Sequence, residues 1–289
     1  MGSIPASSLL LNPDGSVYHL GLLPHHISDV IITVGDPDRV DQVVRHFHRV
    51  EFQNRNREFV TKTGKWGSRR ITVLSTGIGT DNIELVMTEL DALVNVDLRK
   101  REPLEQKRKL QIIRIGTSGS LQPDIPVGTH LYSDYAVGLD AMMAFYHLKM
   151  TDSEQALALD LYDKIQLPLR PYVVQCSPGL RDRIGTGMIR GNTVTAPGFF
   201  APQGRTVRIP IRYSNLLSDM SAYRAKIGDA EFRLTNFEME TAGYYAMARL
   251  LDHDALSVNA IIVSRVEGGA SHDPKRVVDA LIEEVLARL

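Results

Sequence analysis

The stretch VIITVGDPDRV, from Val30 to Val40, holds a short apolar run, a glycine and the start of a helix. The β-branched residues from Val30 to Val34 are typical of a buried strand. A proline in the first turn of a helix is favoured, so we expect a helix that begins at Pro37 or Asp38. A strand that turns directly into a helix is the repeating unit of α/β proteins.

Similar strands and helical patterns follow along the rest of the chain. Further strands are predicted at Ile71 to Ser75, Ile112 to Ile115, Leu131 to Val137 and Val258 to Val263. From Asp81 to Leu98 apolar residues recur with helical spacing, with Thr80 or Asp81 as the cap, and the face expected to be buried contains Ile83, Val86, Met87, Leu90, Leu93 and Val94.

Two more helices complete the α/β pattern. One runs through Tyr244 to Leu251, and the last is capped by Asp273, continues with Pro274 and is expected to bury Val277, Leu281, Val285 and Leu289. Strands that alternate with helices predict an α/β fold, a mixed central sheet flanked by helices. No linker divides the chain, so residues 1–289 are interpreted as a single domain with a short N-terminal extension at 1–16.

Composition excludes several classes of function. Hydrophobic residues make up 43% and charged residues 23% of the 289 residues, and the net charge is −1, which does not favour nucleic acid or an anionic membrane as a partner. No apolar run approaches the roughly 20 residues of a membrane helix, and the N-terminus lacks a signal-peptide pattern. Cys176 is the only cysteine. A reducing, cytoplasmic location is expected, and no pattern around this thiol indicates a nucleophile.

Residues 99–109, RKREPLEQKRK, form the one break in composition. The basic residues are interrupted by Glu102 and Glu105, and no aromatic residues alternate with them to stack on bases. We interpret the segment as a solvated insertion rather than a nucleic-acid surface.

Two segments that follow predicted strands could bind an anion. Gly35 lets the backbone approach a ligand, the following helix start favours negative charge, and Arg39 adds a guanidinium. Arg114 alternates with buried isoleucines and therefore requires an anionic partner, while Thr117, Ser118 and Gly119 offer hydroxyls and close approach. The alternatives are an ordinary strand-to-helix corner, and an internal salt bridge followed by a glycine turn.

Two further segments could recognise a polar organic ligand. Glu238, Met239 and Glu240 stand at the start of a helix, where one carboxylate could accept from vicinal hydroxyls and the other bind a structural partner. They could also simply complement the helix dipole. Gln203 and Arg205 together offer the donors and acceptor that suit the edge of a uracil ring, with Phe199 against its face. The alternative for this second segment is a turn between two strands.

Taken in order, these segments resemble the nucleoside phosphorylase family and, within it, the uridine phosphorylases. The matching stretches are YHLGL from Tyr18, GDPDRV from Gly35, NREF from Asn56, STGIG from Ser75, RIGTSGSLQPDIPVG from Arg114, FFAPQGR from Phe199, FEMET from Phe237 and IVSR from Ile262. The resemblance implies the single-domain nucleoside phosphorylase fold and active sites shared between two subunits of a homodimer, which can assemble further into a hexamer.

The resemblance also implies roles for individual residues. Phosphate, the co-substrate, would be held by Gly35, Arg39, Arg114, Thr117 and, from the neighbouring subunit, Arg57. Ribose would be bound by His19 from the neighbour, at its 5′-hydroxyl, and by the set Thr117, Glu238, Met239 and Glu240. The base would be read by Gln203 and Arg205, with Phe199, Ser118 and Gly119 beside it. Arg39, Arg57, Arg114, Arg205 and Glu240 would be the catalytic group.

Substrate class is indicated at the end of the last strand. Bacterial purine enzymes of the family carry Ser-Asp there, whereas this chain has Ser264 and Arg265. A pyrimidine nucleoside is therefore expected, cleaved without any cofactor. Some members hold a monovalent cation such as K⁺ at the dimer interface; the matching positions are Glu58, Ile78 and Asn82, with asparagine in place of serine. The alternatives are a phosphorylase or hydrolase of a purine or methylthio-nucleoside, and a non-catalytic homologue.

Overall fold

A computed structural model describes residues 3–289, and the chain divides into two compact units. The first comprises Met1–Arg114 and Met247–Asp254, and the second comprises Ile115–Ala246 and Ala255–Leu289. The single domain expected from the sequence stays a prediction. None of the helices within residues 3–289 has both the length and the apolar character needed to cross a membrane.

The first unit is built on five neighbouring strands. Its elements are β1 (Val30–Val34), α1 (Pro37–Val44), β2 (Arg49–Asn56), β3 (Phe59–Trp66), β4 (Arg69–Ser75), α2 (Thr80–Asn95), β5 (Val96–Asp97), β6 (Glu102–Pro103) and the start of β7 (Gln111–Ser120). The strand order is β7-β1-β4-β3-β2. The pairs β7–β1 and β1–β4 are parallel, and β4–β3 and β3–β2 are antiparallel.

Helix α2 buries the face that its sequence predicts, but its ends differ. The six apolar residues of that face, from Ile83 to Val94, are all buried. The cap is Gly79, with φ of 100°, and not Thr80 or Asp81. The helix ends at Asn95 instead of Leu98, because Val96 is extended and enters the short strand β5. The helical periodicity identified the packing face, while the turn chemistry set the ends.

The charged segment 99–109 is solvated, as expected. Its residues are exposed apart from the half-buried Arg101. The amide of Asn95 ties its far end back to α2, since Nδ2 donates to the Arg108 main-chain oxygen at 3.1 Å and Oδ1 accepts from the Arg108 N–H at 2.7 Å. At the near end, Asp97 Oδ1 accepts from the main-chain N–H groups of Arg99 and Lys100.

Except for Met247–Asp254, which includes the end of α6 and belongs to the first unit, the second unit continues β7 and holds the remaining elements. These are β8 (His130–Gly138), α3 (Asp152–Ile165), β9 (Tyr172–Gln175), α4 (Pro178–Ile184), β10 (Ile189–Thr195), α5 (Leu216–Ala222), β11 (Arg224–Ile227), β12 (Ala230–Arg233), β13 (Asn236–Glu238), α6 (Thr241–Leu251), β14 (Asp254–Ser264) and α7 (Pro274–Ala287). Strands β13, β10 and β8 are parallel neighbours, and β9 and β14 run antiparallel to β8. The predicted α/β fold with a mixed sheet is confirmed.

Helix α7 has the predicted cap but only part of the predicted buried face. Asp273 is its cap as expected, and its carboxylate accepts from the Arg276 N–H at 3.0 Å. Leu281 and Val285 are buried as predicted, together with Val278, Ile282 and Leu286. The predicted Val277 and Leu289 are only half-buried, because the helix packs on a stripe centred one residue further along.

Cys176 lies in the second unit as a structural residue. Its side chain is buried, and Sγ donates to Asp134 Oδ1 at 3.7 Å. Burial first, and the negative charge of Asp134 second, raise the pKa of the Cys176 thiol well above its ordinary value. The thiol therefore stays protonated and is a poor nucleophile, in agreement with the sequence interpretation.

Candidate active site

The predicted phosphate residues of the first unit lie at one edge of its sheet. In the parallel register Thr33 is opposite Arg114 in β7, and Val34 is opposite Ser75 in β4. Gly35 follows β1 at that edge, and its main-chain oxygen accepts from the Gly77 N–H at 3.1 Å. The carboxyl ends of parallel strands are the usual ligand edge of an α/β sheet. The edge thus brings Gly35 and Arg114 together.

Helix α1 adds Arg39 in its first turn. The helix begins at Pro37, and its cap Asp36 accepts through Oδ1 from the Asp38 N–H at 2.9 Å. Arg39 is half-buried, while Arg114 is only 6% exposed. A guanidinium is kept at that depth only when acceptors or an anion surround it. This strand, glycine and helix start have the arrangement of an anion cradle.

The residues after Arg114 do not form the glycine turn of the alternative interpretation. Strand β7 runs on to Ser120, beyond the predicted end at Ile115, so Thr117, Ser118 and Gly119 lie within a strand. In the second unit, Asn236 Nδ2 donates to Ser118 Oγ at 3.0 Å. Ser118 is therefore held in the interior, while Thr117 remains half-buried. The glycine-rich stretch reads as a turn in sequence because pairing with β13 is not visible locally.

The two glutamates before α6 have different surroundings. Glu238 is buried and accepts from Thr195 Oγ1 at 2.6 Å and from the main-chain N–H groups of Glu240 and Thr241. Glu238 thus caps the start of α6 and is the structural member of the pair. Its expected place among the ribose ligands is not supported, since its oxygens are committed to these donors. Glu240 is also buried, and Met239 is half-buried.

The predicted base residues of the second unit form a connected group with Arg265. The loop after β10 leads through a short 3-10 helix, Ala201–Gln203, toward α5, and is not a turn between two strands. Gln203 is buried, and its Oε1 accepts from Arg205 Nη1. Arg205 also donates to the Phe199 main-chain oxygen at 2.6 Å, and its guanidinium lies 3.8 Å from the centre of the Phe199 ring.

Arg265 is the site residue whose contacts the sequence did not predict. Its Nη2 donates to the Gln203 main-chain oxygen at 2.9 Å, and its aliphatic stem lies against Gly119. A Cβ at position 119 would come within 3.0 Å of Arg265 Cγ. Arg265 Nη1 is buried and has no hydrogen-bond partner within residues 3–289. A buried unsatisfied donor is costly, and at a site it indicates a missing acceptor.

Electrostatics at this group also favour an acceptor-rich ligand. Burial first, and the positive charge of Arg265 second, lower the pKa of Arg205 to about 10. Burial also lowers the pKa of Arg265. Two guanidiniums held close together in a partly dry site are stabilised by a ligand that carries carbonyl oxygens or negative charge. Phe199 is 51% exposed, and Arg205 lies over one face of its ring.

His19 and Arg57, expected to act in a neighbouring subunit, lie together in the first unit. Asn56 Nδ2 donates to the main-chain oxygens of Tyr18, at 3.2 Å, and His19, at 2.8 Å. Arg57 follows in the β2–β3 turn with φ of 55°, and its guanidinium lies 5.6 Å from the centre of the Tyr18 ring. Its left-handed backbone is uncommon for a residue with a side chain.

The positions matched to a monovalent cation site surround Gly77. A Cβ on Gly77 would lie 2.6 Å from Asn82 Nδ2 and 3.4 Å from Glu58 Cγ. Ile78 is 67% exposed. In the described part of the chain, no three His, Cys, Asp or Glu side chains are grouped so as to hold a metal ion. The cation stays a prediction.

Comparison with known proteins finds several nucleoside phosphorylases. A uridine phosphorylase of Thermococcus kodakarensis is 27% identical over 260 residues, which is 88% of this chain and 79% of that protein. A purine nucleoside phosphorylase of the DeoD type from Thermoanaerobacter sp. is 25% identical over 268 residues, 89% of this chain and 92% of that protein. A Trypanosoma brucei nucleoside phosphorylase structure, described as showing uridine phosphorylase activity, has a TM-score of 0.88 at 24% identity, covering 97% of this chain and 100% of that chain.

The likeness to the trypanosome structure confirms the predicted fold. The profile of the phosphorylase superfamily matches residues 29–289, which is most of the chain. The resemblance to nucleoside phosphorylases, enzymes that transfer a pentosyl group between a base and phosphate, is thereby confirmed. The chain belongs to the phosphorylase superfamily.

Proposed function

We propose that this enzyme is a uridine phosphorylase, which cleaves uridine with inorganic phosphate to give uracil and ribose 1-phosphate. The observation that carries the proposal is the group of Gln203, Arg205 and Arg265. It offers several guanidinium and amide donors with one amide acceptor. The edge of uracil presents the complementary pattern, an N–H between two carbonyl oxygens.

The nature of the leaving group explains why arginines suit this reaction. As the glycosidic bond of uridine breaks, negative charge develops on the carbonyl oxygens of uracil. Donors already held in place stabilise that charge without having to reorganise. Arg265, whose buried Nη1 has no partner within residues 3–289, is suited to donate a hydrogen bond to such an oxygen. A purine would instead require a proton at a ring nitrogen, which an arginine cannot readily supply.

Phosphate would be the nucleophile at the opposite side of the sugar carbon. We assign its binding to Gly35, Arg39 and Arg114, with Thr117 and a neighbouring subunit's Arg57. Their charge positions the dianion for attack while ribose develops oxocarbenium character, and positioning alone can contribute much of the rate. Glu240 and Met239 would bind ribose, with Glu240 accepting from its 2′- and 3′-hydroxyls.

The assembly and location are part of the same proposal. His19 and Arg57 would act in the neighbour's site, so the enzyme would function as a homodimer or as a hexamer of three dimers. The reaction balances without a redox cofactor, and phosphate is its only co-substrate. A monovalent cation at Glu58, Ile78 and Asn82 would order the dimer contact. A single, buried cysteine is consistent with a cytoplasmic enzyme.

A substrate panel tests this function. Purified enzyme is incubated with phosphate and, separately, uridine, deoxyuridine, thymidine, cytidine, inosine or methylthioadenosine, and the released base is quantified. We expect the highest kcat/KM for uridine and no release of uracil without phosphate. Fastest release of hypoxanthine would identify a purine enzyme, and release without phosphate would identify a hydrolase.

A variant separates an enzyme from a non-catalytic homologue that merely binds nucleosides. Arg114→Ala should lower kcat/KM for uridine by about 100-fold or more, since it removes a buried phosphate ligand. Arg69→Ala, at an exposed position of the same unit, serves as the control and should turn over normally. Equal rates for Arg114→Ala and wild type would contradict the phosphate assignment.

A further inference from the structure

We propose that Glu89 is a positioning residue that fixes the ring of His19, so that Nε2 accepts a hydrogen bond from the 5′-hydroxyl of the nucleoside. The inference rests on the proposed function, because it takes His19 as the residue that meets the ribose. It adds a residue from the middle of α2 that lies far from His19 in sequence.

The carboxylate of Glu89 contacts several hydrogen-bond donors of the segment around His19. Oε1 lies 2.7 Å from His19 Nδ1 and accepts from the His19 N–H at 3.0 Å. Oε2 accepts from the Leu20 N–H at 2.8 Å. Glu89 is only 6% exposed, on the buried face of a helix whose other buried members are mostly apolar. A carboxylate is kept at such a position only when donors surround it.

The contact with Nδ1 determines the chemistry of the ring. Because a carboxylate can only accept, a neutral His19 must carry its proton on Nδ1 and a lone pair on Nε2. Within residues 3–289, Nε2 makes no hydrogen bond. It is therefore an acceptor held ready for a hydroxyl. At many metal and catalytic sites a carboxylate likewise sets the tautomer of a functional histidine.

The path of the main chain does not depend on Glu89 alone. Asn54 Nδ2 donates to the oxygens of Leu20 and Gly21, both at 3.1 Å, and Asn56 Nδ2 donates to those of Tyr18 and His19. These amides hold the carbonyl side of the loop while Glu89 holds its N–H side. Replacing the carboxylate should therefore change the ring's proton and orientation more than the course of the loop.

The test compares Glu89→Gln with wild type on uridine and on 5′-deoxyuridine, which lacks the 5′-hydroxyl. A glutamine amide keeps the size but presents a donor to one of the three groups, so the Nδ1–H tautomer loses its preference. We expect kcat/KM for uridine to fall about tenfold, the value of one hydrogen bond, and that for 5′-deoxyuridine to change less than about twofold. Most of the loss should appear in KM.

The spectroscopic readout is the ¹⁵N spectrum of histidine-labelled enzyme, with His19 assigned by its absence in His19→Ala. Wild type should show a protonated Nδ1 and an unprotonated Nε2 for His19, and Glu89→Gln should shift population to the other tautomer. Glu84→Gln, on the same helix, is the matched control and should change neither the spectrum nor the substrate ratio. Thermal unfolding of each variant checks that the fold persists, and Glu89→Asp, which keeps a carboxylate, should restore part of the discrimination.

The outcomes separate this inference from the proposed function. Wild type that does not cleave uridine with phosphate would overturn the proposed function and the inference with it. Wild type that cleaves uridine, beside a Glu89→Gln that loses equal activity on both substrates with an unchanged His19 spectrum, would overturn the role of Glu89 alone. Preserved discrimination in a folded Glu89→Gln would do the same.

Discussion

Arg265 donates through Nη2 to the main-chain oxygen of Gln203 at 2.9 Å, and so connects the end of β14 with the loop that follows β10. Arg205, from the same loop, holds the Gln203 side chain. The polar end of the site is thus built from two separate segments. Neither segment alone supplies all the donors of this group.

Replacing Arg265 by methionine should lower activity with little change in stability. Arg265→Met keeps the stem that packs on Gly119 and removes a buried donor without a partner and a charge that repels Arg205, but it also removes the bond from Nη2 to the Gln203 main-chain oxygen. Because these effects oppose each other, we expect the free energy of unfolding to stay within about 1 kcal/mol of wild type, while kcat/KM for uridine falls at least about tenfold. Steady-state kinetics and urea unfolding measure the two effects. Exposed Arg208→Met is the control, and a variant that is both less stable and fully active would refute the assignment.

Gly119→Ala should displace Arg265 without touching its charge. The added Cβ would come within 3.0 Å of Arg265 Cγ and 3.1 Å of Cδ, so the arginine stem must move. We expect a loss of about 1–3 kcal/mol in the free energy of unfolding, typical of overpacking, and a raised KM for uridine. Thermal unfolding and kinetics check both. The KM for phosphate should stay at the wild-type value; a selective rise in that constant would show that Gly119 serves the other substrate.

Arg57→Gly should remove the guanidinium of Arg57 without destabilising the β2–β3 turn. Arg57 has φ of 55°, a conformation that costs a residue with a side chain about 1–2 kcal/mol and costs glycine little. Because glycine also loses more entropy on folding, we expect the free energy of unfolding to stay within about 1 kcal/mol of wild type. Phosphorolysis should fall about 100-fold through loss of a phosphate ligand. The control is Arg55→Gly, in extended β2, which should keep its activity but lose stability.

Mixed subunits test whether sites are shared. Arg57→Gly and Arg114→Ala subunits are unfolded together in equal amounts, refolded and assayed. If Arg57 serves the neighbour and Arg114 its own subunit, half of the dimers are mixed and each has one intact site, which predicts recovery of about a quarter of wild-type activity. Each variant refolded alone should remain inactive. No recovery in verified mixed dimers would show that both residues serve the same subunit.

Sequence patterns predicted the fold well because burial and period are local properties. The buried face of α2 follows from its 3.6-residue period, and the cap of α7 follows from Asp273 before Pro274. The ends of α2 were wrong because a glycine with positive φ, and an extended Val96, override the helical pattern there. These backbone conformations depend on where the neighbouring segments of the chain lie in the fold, which a local pattern does not show.

The site was predictable only where a residue's neighbours in sequence carry the signal. Gln203 and Arg205 are two residues apart, and their place in one polar group could be anticipated, although the bond between them could not. The contact between Arg265 and Gly119 joins positions far apart in the chain, so it emerged only from the fold. The same holds for Ser118, whose partner Asn236 comes from β13, and for Glu238, whose carboxylate is engaged by Thr195.

The buried state of Cys176 has a practical consequence for these experiments. Because its thiol is enclosed and held in the protonated form, it will react slowly with maleimides and oxidants. A cysteine introduced at an exposed position would then be the single fast-reacting thiol of the chain. Fluorophore pairs could be attached there without first removing the natural cysteine, and subunit exchange between the variants above could be followed in real time by energy transfer.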